Sequence, residues 1–153
     1  MKHLLIVQHS KTGATRALIE AAVDGARDPA IDGVECRLRA ALEASPEDVR
    51  WADALLLGTP ENFGYMSGGL KYFFDSIYYE CLDHTQGLPY GLIVKAGNDG
   101  RGAVRAIERI VSGLAWCGVA DPLVVRGEIT DDALEAARDL GMTLAAGLEA
   151  GVF

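Results

Sequence analysis

Short apolar runs separated by helix-like segments recur five times along the chain. Each run has the length and composition of a β-strand, and four of the five are apolar through their middle, as strands covered on both faces should be. The strand candidates are Lys2–Gln8, Val34–Arg39, Ala54–Gly58, Tyr90–Lys95 and Leu123–Arg126. Five alternating strand and helix units predict a parallel sheet with helices on both faces, and hence an α/β protein.

Two of the strand candidates have the features of sheet edges. In the second, Val34, Cys36 and Leu38 alternate with charged residues, which leaves one polar face. The fifth follows Pro122, and proline is tolerated at edges. With these two strands outermost, the predicted order is 2-1-3-4-5. This is the flavodoxin-like order, in which the ligand crevice lies at the carboxyl ends of strands one and three.

The segments between the strands carry apolar residues at the 3.6-residue period of amphipathic helices. Ser45 before Pro46, and Thr130 before two aspartates, have the residue types of helix N-caps and first turns. The length of 153 residues, half of them hydrophobic, predicts one domain spanning residues 1–153. The four main stripes are Leu18, Ile19, Ala22 and Ala26; Leu70, Phe73, Phe74, Ile77, Tyr78 and Cys81; Ala103, Ile107, Ile110, Val111 and Leu114; and Leu134, Ala137, Leu140, Leu144 and Leu148.

A hydroxyl-rich loop, Ser10-Lys11-Thr12-Gly13-Ala14-Thr15, follows the first strand candidate. Three hydroxyls and the free backbone N–H groups of a helix start can surround a phosphate without a paired cation. The alternative is an ordinary capped turn, since Ser, Thr and Gly are common in such turns. The loop has neither the Walker spacing nor the dinucleotide-binding glycine spacing.

The third strand candidate leads into a loop rich in glycine, proline and aromatic residues. Pro60 and Gly64 shape the backbone, while Phe63 and Tyr65 offer aromatic faces to a flat ring. Ser67 is predicted to cap the helix that follows. The alternative is a long structural turn whose aromatic residues cover the end of the sheet. The candidate cofactor contacts in this loop are Thr59, Pro60, Glu61, Asn62, Phe63, Gly64, Tyr65 and Met66.

A glycine-rich loop after the fourth strand candidate completes the predicted crevice. Three glycines within six positions indicate positive φ angles or a close backbone approach, although a flexible turn without a ligand is the alternative. The candidate contacts are Gly97, Asn98, Asp99 and Gly100. Together, the three loops predict FMN as the cofactor, with its phosphate on the first loop and its ring between the second and third.

At these loops the sequence resembles the flavodoxin superfamily, particularly its NAD(P)H-dependent FMN reductase and quinone reductase branch. Residues 10–15 resemble the phosphate loop T/S-x-T-G-x-T. Residues 58–71 resemble the segment G-T-P-x-x-x-G-x-x-S-G-x-L/M-K of quinone reductases, and residues 97–102 are similar to the third loop of several family members. The resemblance implies a flavodoxin-like three-layer sandwich and the reduction of flavin or quinone by NAD(P)H. A flavodoxin-type electron carrier without its own substrate, and a flavin-free interaction module, are the alternatives.

Composition excludes other classes of function. A net charge of −8 argues against nucleic acids and anionic membranes as partners. The chain has no apolar run of membrane-spanning length and no secretory signal pattern. Cys36, Cys81 and Cys117 lack metal-ligand spacing, which predicts free thiols, a cytoplasmic location and no metal site. No catalytic side chain is expected, because flavin itself performs the redox chemistry.

Two interaction hypotheses also follow from the sequence. The helix after the second loop carries Tyr72, Tyr78 and Tyr79 in addition to its apolar stripe, which raises the hypothesis of a homodimer. The acidic surface suggests that a basic redox protein, rather than NAD(P)H, is an alternative partner.

Overall fold

The computed structural model describes residues 1–153 as a parallel β-sheet between two layers of helices. None of these helices combines the length and apolar character that a membrane crossing requires. The elements are β1 (Lys2–Gln8), α1 (Ala14–Ala26), β2 (Val34–Ala40), α2 (Pro46–Trp51), β3 (Ala54–Asn62), β4 (Tyr65–Met66), α3 (Gly68–Cys81), β5 (Pro89–Ala96), α4 (Arg101–Gly113), β6 (Cys117–Gly118), β7 (Leu123–Arg126) and α5 (Asp131–Ala150).

The strand order confirms the predicted flavodoxin-like topology. The sheet runs β2-β1-β3-β5, and both β6 and β7 pair with the outer side of β5. The predicted order 2-1-3-4-5 therefore corresponds to β2-β1-β3-β5-β7. The predicted count of five strands omits the two-residue strands β4 and β6. β6 pairs with Pro89 and Tyr90, whereas β7 begins opposite Ile93. Between these two pairings the edge segment is two residues longer than the corresponding part of β5, so the edge strand is interrupted ahead of β7.

The third strand is longer than the sequence predicts, and the prediction of its end at Gly58 was wrong. β3 continues to Asn62 and folds back on β4 as an antiparallel hairpin. Glycine and proline suggested a strand end because they usually interrupt regular structure. Pro60 is accommodated here because it lies beyond the end of the pairing between β1 and β3, which stops at Gly58.

Alternating side chains of the sheet build one core on each face. Leu5 and Val7 of β1 pack on the side of α2, α3 and α4, whereas Leu4 and Ile6 pack on the side of α1 and α5. The predicted helix starts are confirmed. Ser45 forms a reciprocal capping box with Asp48, and the Thr130 hydroxyl accepts a hydrogen bond from the amide of Ala133.

Candidate functional site

The first and second predicted loops lie side by side at the carboxyl edge of the sheet. Gln8, the last residue of β1, pairs with Gly58 of β3. One residue further, the amide of His9 donates to the carbonyl of Gly58 at 3.1 Å. The two segments of the chain therefore leave the sheet side by side, and the loop into α1 starts beside the hairpin formed by β3 and β4.

The first loop presents backbone N–H groups that no protein atom accepts. Within it, the amide of Gly13 donates to the Ser10 hydroxyl at 3.0 Å, and Gly13 has the positive φ of 92° that starts α1. Lys11, Thr12 and Gly13 are exposed, whereas Thr15 is buried. The amides without an acceptor in the protein are those of Ser10, Lys11, Thr12, Ala14, Thr15 and Arg16.

This concentration of free donors has the chemistry to hold an anion. Unpaired amides at the start of the 13-residue helix α1 carry the positive end of its dipole. The hydroxyls of Thr12 and Thr15 make no hydrogen bond within the protein. A phosphate dianion is the ligand that such a cluster of amides and hydroxyls binds most readily.

The hairpin is tied firmly to the start of α3. The buried Thr59 hydroxyl donates to the carbonyl of Pro60 at 2.9 Å and accepts from the amide of Ser67 at 3.0 Å. Ser67 in turn caps α3 by accepting from the amide of Leu70, as predicted. Because the Thr59 hydroxyl is engaged and the Met66 side chain is buried in the core, these two residues offer a ligand mainly their backbone.

The tip of the hairpin is exposed and strained. Phe63 and Gly64 form its two-residue turn with φ angles of 54° and 71°, which match the twist of the flanking strands. A positive φ is unfavourable for a phenylalanine, and such strain concentrates at functional sites. The Phe63 side chain is fully solvent-exposed, and Asn62 and Tyr65 are also exposed, whereas Glu61 is half-buried.

The third predicted loop contacts the hairpin through the first turn of α4. A Cβ atom built on Gly102 would lie only 1.8 Å from the carbonyl oxygen of Gly64, so the two backbones touch. Gly97 and Asn98 are exposed, and the Asp99 carboxylate accepts from the amide of Arg101. Gly100 has a φ of 72° and begins the helix. The second and third loops are thus brought together.

Two buried polar atoms at the end of β1 have no partner in the protein. They are Oε1 of Gln8 and Nδ1 of His9. The His9 ring packs against Gly69, where a Cβ would lie 2.4 Å from it. Because buried polar atoms in proteins are nearly always hydrogen-bonded, these two atoms indicate a partner from outside the chain. Neither residue is among the predicted cofactor contacts: from the sequence, His9 at the end of the first strand is a candidate partner for the phosphate or ribityl chain, but packing or solvation of the turn is the favoured interpretation, and Gln8 is predicted only as a strand residue.

The donors and exposed backbone at this edge fit FMN. The free amides and hydroxyls of the first loop suit its phosphate. The unpartnered atoms of Gln8 and His9 suit the polar ribityl chain of the cofactor. The hairpin and the third loop offer backbone to its flat ring. The described residues contain no cluster of three or more His, Cys, Asp or Glu side chains that could hold a metal ion.

Comparison with known proteins agrees with this description. The family model for NADPH-dependent FMN reductase matches residues 7–127. A flavodoxin of Aquifex aeolicus is 32% identical, in an alignment that covers 95% of this chain and 86% of the relative. An NAD(P)H dehydrogenase (quinone) of Acidithiobacillus ferrooxidans is 30% identical over 49% of this chain and 46% of the relative. The chain thus matches about half the length of that enzyme.

Solved structures share the fold at low sequence identity. A flavodoxin from the domain Archaea superposes with a TM-score of 0.81 at 20% identity, covering 95% of this chain and 98% of that one. A flavodoxin, WrbA-like protein from Agrobacterium tumefaciens gives a TM-score of 0.77 at 22% identity, covering 95% and 96%. Because the family model covers residues 7–127 and the flavodoxin relative aligns over 95% of the chain, the chain belongs to the NADPH-dependent FMN reductase family and is an FMN-binding flavoprotein, and the solved structures show its flavodoxin-like fold.

Proposed function

We propose that this protein reduces flavin or quinone acceptors with NAD(P)H, using FMN bound at the carboxyl edge of the sheet. The observation that carries the proposal is the juxtaposition of six free amides, in the first loop and at the start of α1, with the hairpin of the second loop. One end of that arrangement suits a phosphate, and the other offers exposed backbone to a planar ring.

The proposed assignment follows the order of the three loops along the edge. Residues 10–15 hold the phosphate, Gln8 and His9 give polar partners to the middle of the cofactor, and the ring lies between residues 59–66 and 97–100. The unpartnered atoms at Gln8 and His9 support this order because these two residues directly precede the first loop and pair with Gly58 just before the hairpin.

Bound FMN would supply hydride and electron transfer, which is chemistry of the cofactor rather than of the protein. The residues of this chain bind and orient it. The hydrogen bonds of Thr59 to Pro60 and Ser67 hold the hairpin against α3, so the backbone facing the ring is fixed before the cofactor arrives. Such preorganisation lowers the cost of ordering the site on binding.

A flavodoxin-type electron carrier is the second candidate. It is favoured by the relative named flavodoxin, which aligns over nearly the whole of this chain. It is also favoured by the fully exposed Phe63 at the tip of the hairpin, where an apolar side chain could contact a protein partner.

The purified protein distinguishes these functions. A yellow protein that oxidises NAD(P)H in the presence of menadione or free flavin would support the reductase. Negligible NAD(P)H oxidation, with reduction by dithionite in two separate one-electron steps, would instead favour the carrier. A colourless protein that fails to quench FMN fluorescence would contradict both candidates and favour a flavin-free module.

We also propose a homodimer and a cytoplasmic location. Tyr72 and Tyr79 of α3 are 55% and 83% exposed, whereas Tyr78 packs against the core. The two exposed rings give α3 an outer aromatic surface for a second copy, which light scattering after size-exclusion chromatography tests. The three free cysteines are consistent with a reducing compartment.

A further inference from the structure

The solvent-facing side of α4 carries a row of three arginines. Arg101, Arg105 and Arg109 follow one another at a spacing of four residues, which places them on one side of a helix. All three are exposed, whereas Ile107 on the other side of the helix is buried in the core. Arg126, the exposed last residue of β7, lines a cleft together with Arg101 and Arg105. We call these four arginines the arginine face.

Three arginines of this face have no partner within the protein. The guanidinium groups of Arg105, Arg109 and Arg126 form no ion pair and donate no hydrogen bond, so they are free to bind carboxylates. Arg105 also lines a second cleft on the α3 side of the helix, where Arg109 lies beside it. The remaining cation of that cleft, Lys71, is paired with Asp75. The arginine face is therefore continuous across both clefts.

The charge of the arginine face is opposite to that of the whole chain. Two carboxylates lie among the arginines. That of Asp99 accepts a hydrogen bond from the amide of Arg101 and lies 3.9 Å from its guanidinium group, whereas that of Glu108 forms no ion pair. Four arginines and two carboxylates give this face a charge of +2, so the rest of a chain with a net charge of −8 carries −10. A local positive field of this kind attracts an acidic partner to one side of the molecule.

The arginine face adjoins the exposed aromatic residues of the hairpin. The first turn of α4 touches Gly64, and at the helical rise per residue Arg105 and Arg109 lie about 5 Å and about 10 Å beyond that contact. Tyr65 is 40% exposed and lines the second cleft with both arginines, and Phe63 is fully exposed at the tip of the turn. Aromatic residues and arginines are the side chains that protein interfaces concentrate.

We infer that the arginine face and the aromatic residues of the hairpin form a docking surface for an acidic electron-transfer protein. Carboxylates of the partner pair with the arginines, and its apolar surface covers Phe63 and Tyr65 beside the proposed flavin site. The partner has the opposite charge to the basic protein that the net charge of the chain suggested. The inference goes beyond reduction by NAD(P)H and does not depend on it, because it concerns binding alone.

Titration calorimetry of the FMN-loaded protein with an oxidised, acidic plant-type ferredoxin tests the docking surface without requiring turnover. At an ionic strength of about 0.1 M, charges are screened beyond about 10 Å. The ferredoxin then responds mainly to the face that it contacts rather than to the negative charge of the whole chain. The unmodified protein should bind it, and an ionic strength of about 1 M should weaken the binding by at least about tenfold.

Variants of opposite sign on the same helix separate charge from local disturbance. Arg105→Gln and Arg109→Gln should each weaken ferredoxin binding by about threefold, and the double variant by about tenfold, because each removes an exposed charge pair. Glu108→Gln should strengthen binding by about threefold, since it removes the unpaired carboxylate from the face. Lys2→Gln removes an exposed cation at the opposite, amino edge of the sheet and should leave ferredoxin binding unchanged. Every variant should retain FMN, because all four residues lie outside the proposed cofactor contacts.

Two results would overturn the inference. One is an unmodified protein that does not bind the ferredoxin, and the other is a Glu108→Gln variant whose affinity changes in the same direction as that of Arg105→Gln. If the ferredoxin does not bind but the double arginine variant loses a salt-dependent self-association detected by light scattering, the face belongs to a contact between copies of this chain. If only vesicles containing anionic lipid bind, it belongs to a membrane contact. NAD(P)H oxidation with menadione is measured separately, so failure of the proposed reductase leaves the result for this surface unaffected.

Discussion

The two ends of β1 each carry a histidine, and their environments are opposite. At the amino end, the ring of His3 stacks on Trp51 at 4.3 Å, and its Nδ1 lies 3.0 Å from the Trp51 carbonyl oxygen. Its amide donates to Asp53 at 2.8 Å. At the carboxyl end, Nδ1 of His9 is buried and has no partner.

This difference shows where the chain completes its own hydrogen bonds and where it leaves them open. The amino edge satisfies its polar groups through contacts between distant residues. The carboxyl edge combines an unpartnered histidine with six free amides. Leaving a buried polar group unpaired costs about 1–3 kcal/mol. A cofactor that satisfies these groups therefore stabilises the folded state in addition to binding to it.

The largest effect is expected from removing the hydroxyls of the first loop. Thr12→Ala combined with Thr15→Val should weaken FMN binding by about 3 kcal/mol, or roughly a hundredfold, because two hydrogen bonds to a charged phosphate are lost. Valine keeps the shape of the buried Thr15 side chain. Fluorescence titration of the FMN-free protein with FMN measures the change.

Riboflavin, which lacks the phosphate, is the matched ligand for this variant. Its affinity should be almost unchanged. An FMN affinity equal to that of the unmodified protein would show that the phosphate lies elsewhere, and a parallel loss of riboflavin affinity would point to a general disturbance of the loop.

The two histidines should respond in opposite ways to the same substitution. His3→Phe keeps a ring against Trp51 but loses the hydrogen bond, so it should lower the free energy of unfolding by about 1 kcal/mol and leave FMN affinity unchanged. His9→Phe should leave the free energy of unfolding of the FMN-free protein unchanged or slightly higher. The same substitution should weaken FMN binding by about tenfold. Urea unfolding with and without FMN measures both. If the two variants changed the free energy of unfolding and the FMN affinity in the same way, the proposed difference between the two edges of the sheet would be wrong.

The smallest effect is expected in the capping network of α2, whose polar groups are hydrogen-bonded within the protein. The Asp48 carboxylate accepts from the Ser45 amide and the Arg37 guanidinium, both at 3.0 Å. Burial alone would raise the pKa of Asp48, but these hydrogen bonds and the charge of Arg39 outweigh it and hold the pKa below the usual 3.8. Asp48→Asn should lower the free energy of unfolding by about 1 kcal/mol at neutral pH.

The pH dependence of that effect has a definite sign. A carboxyl whose pKa is lower in the folded state contributes stability that is fully present above its unfolded value and is lost as the pH falls through the folded value. The difference between Asp48→Asn and the unmodified protein should therefore shrink as the pH drops below about 3.8. A difference that stays constant into acid would attribute the effect to packing rather than to charge.

The sequence predicted most of the fold because periodicity and caps acted locally. β1 and the bounds of β7 agree with their predicted spans, and Ser45, Ser67 and Thr130 cap the helices as their positions indicated. The hairpin could not be predicted in the same way. Its extension past Pro60 depends on β3 continuing beyond the end of its pairing with β1. That is a property of the assembled sheet rather than of the local residues.

The carboxyl edge was predictable as a set of loops but not as a set of contacts. Hydroxyls and glycines marked residues 10–15 and 97–100. The engagement of Thr59 with Ser67, and the unpartnered atoms of Gln8 and His9, depend on side-chain directions that spacing does not encode.

The contact between Gly64 and Gly102 makes the cofactor edge and α4 a single mechanical unit. Since the two backbones meet with no side chain between them, any shift of the turn must push the helix, and any tilt of the helix must displace the turn. A molecule bound along α4 would therefore influence the flavin without contacting it.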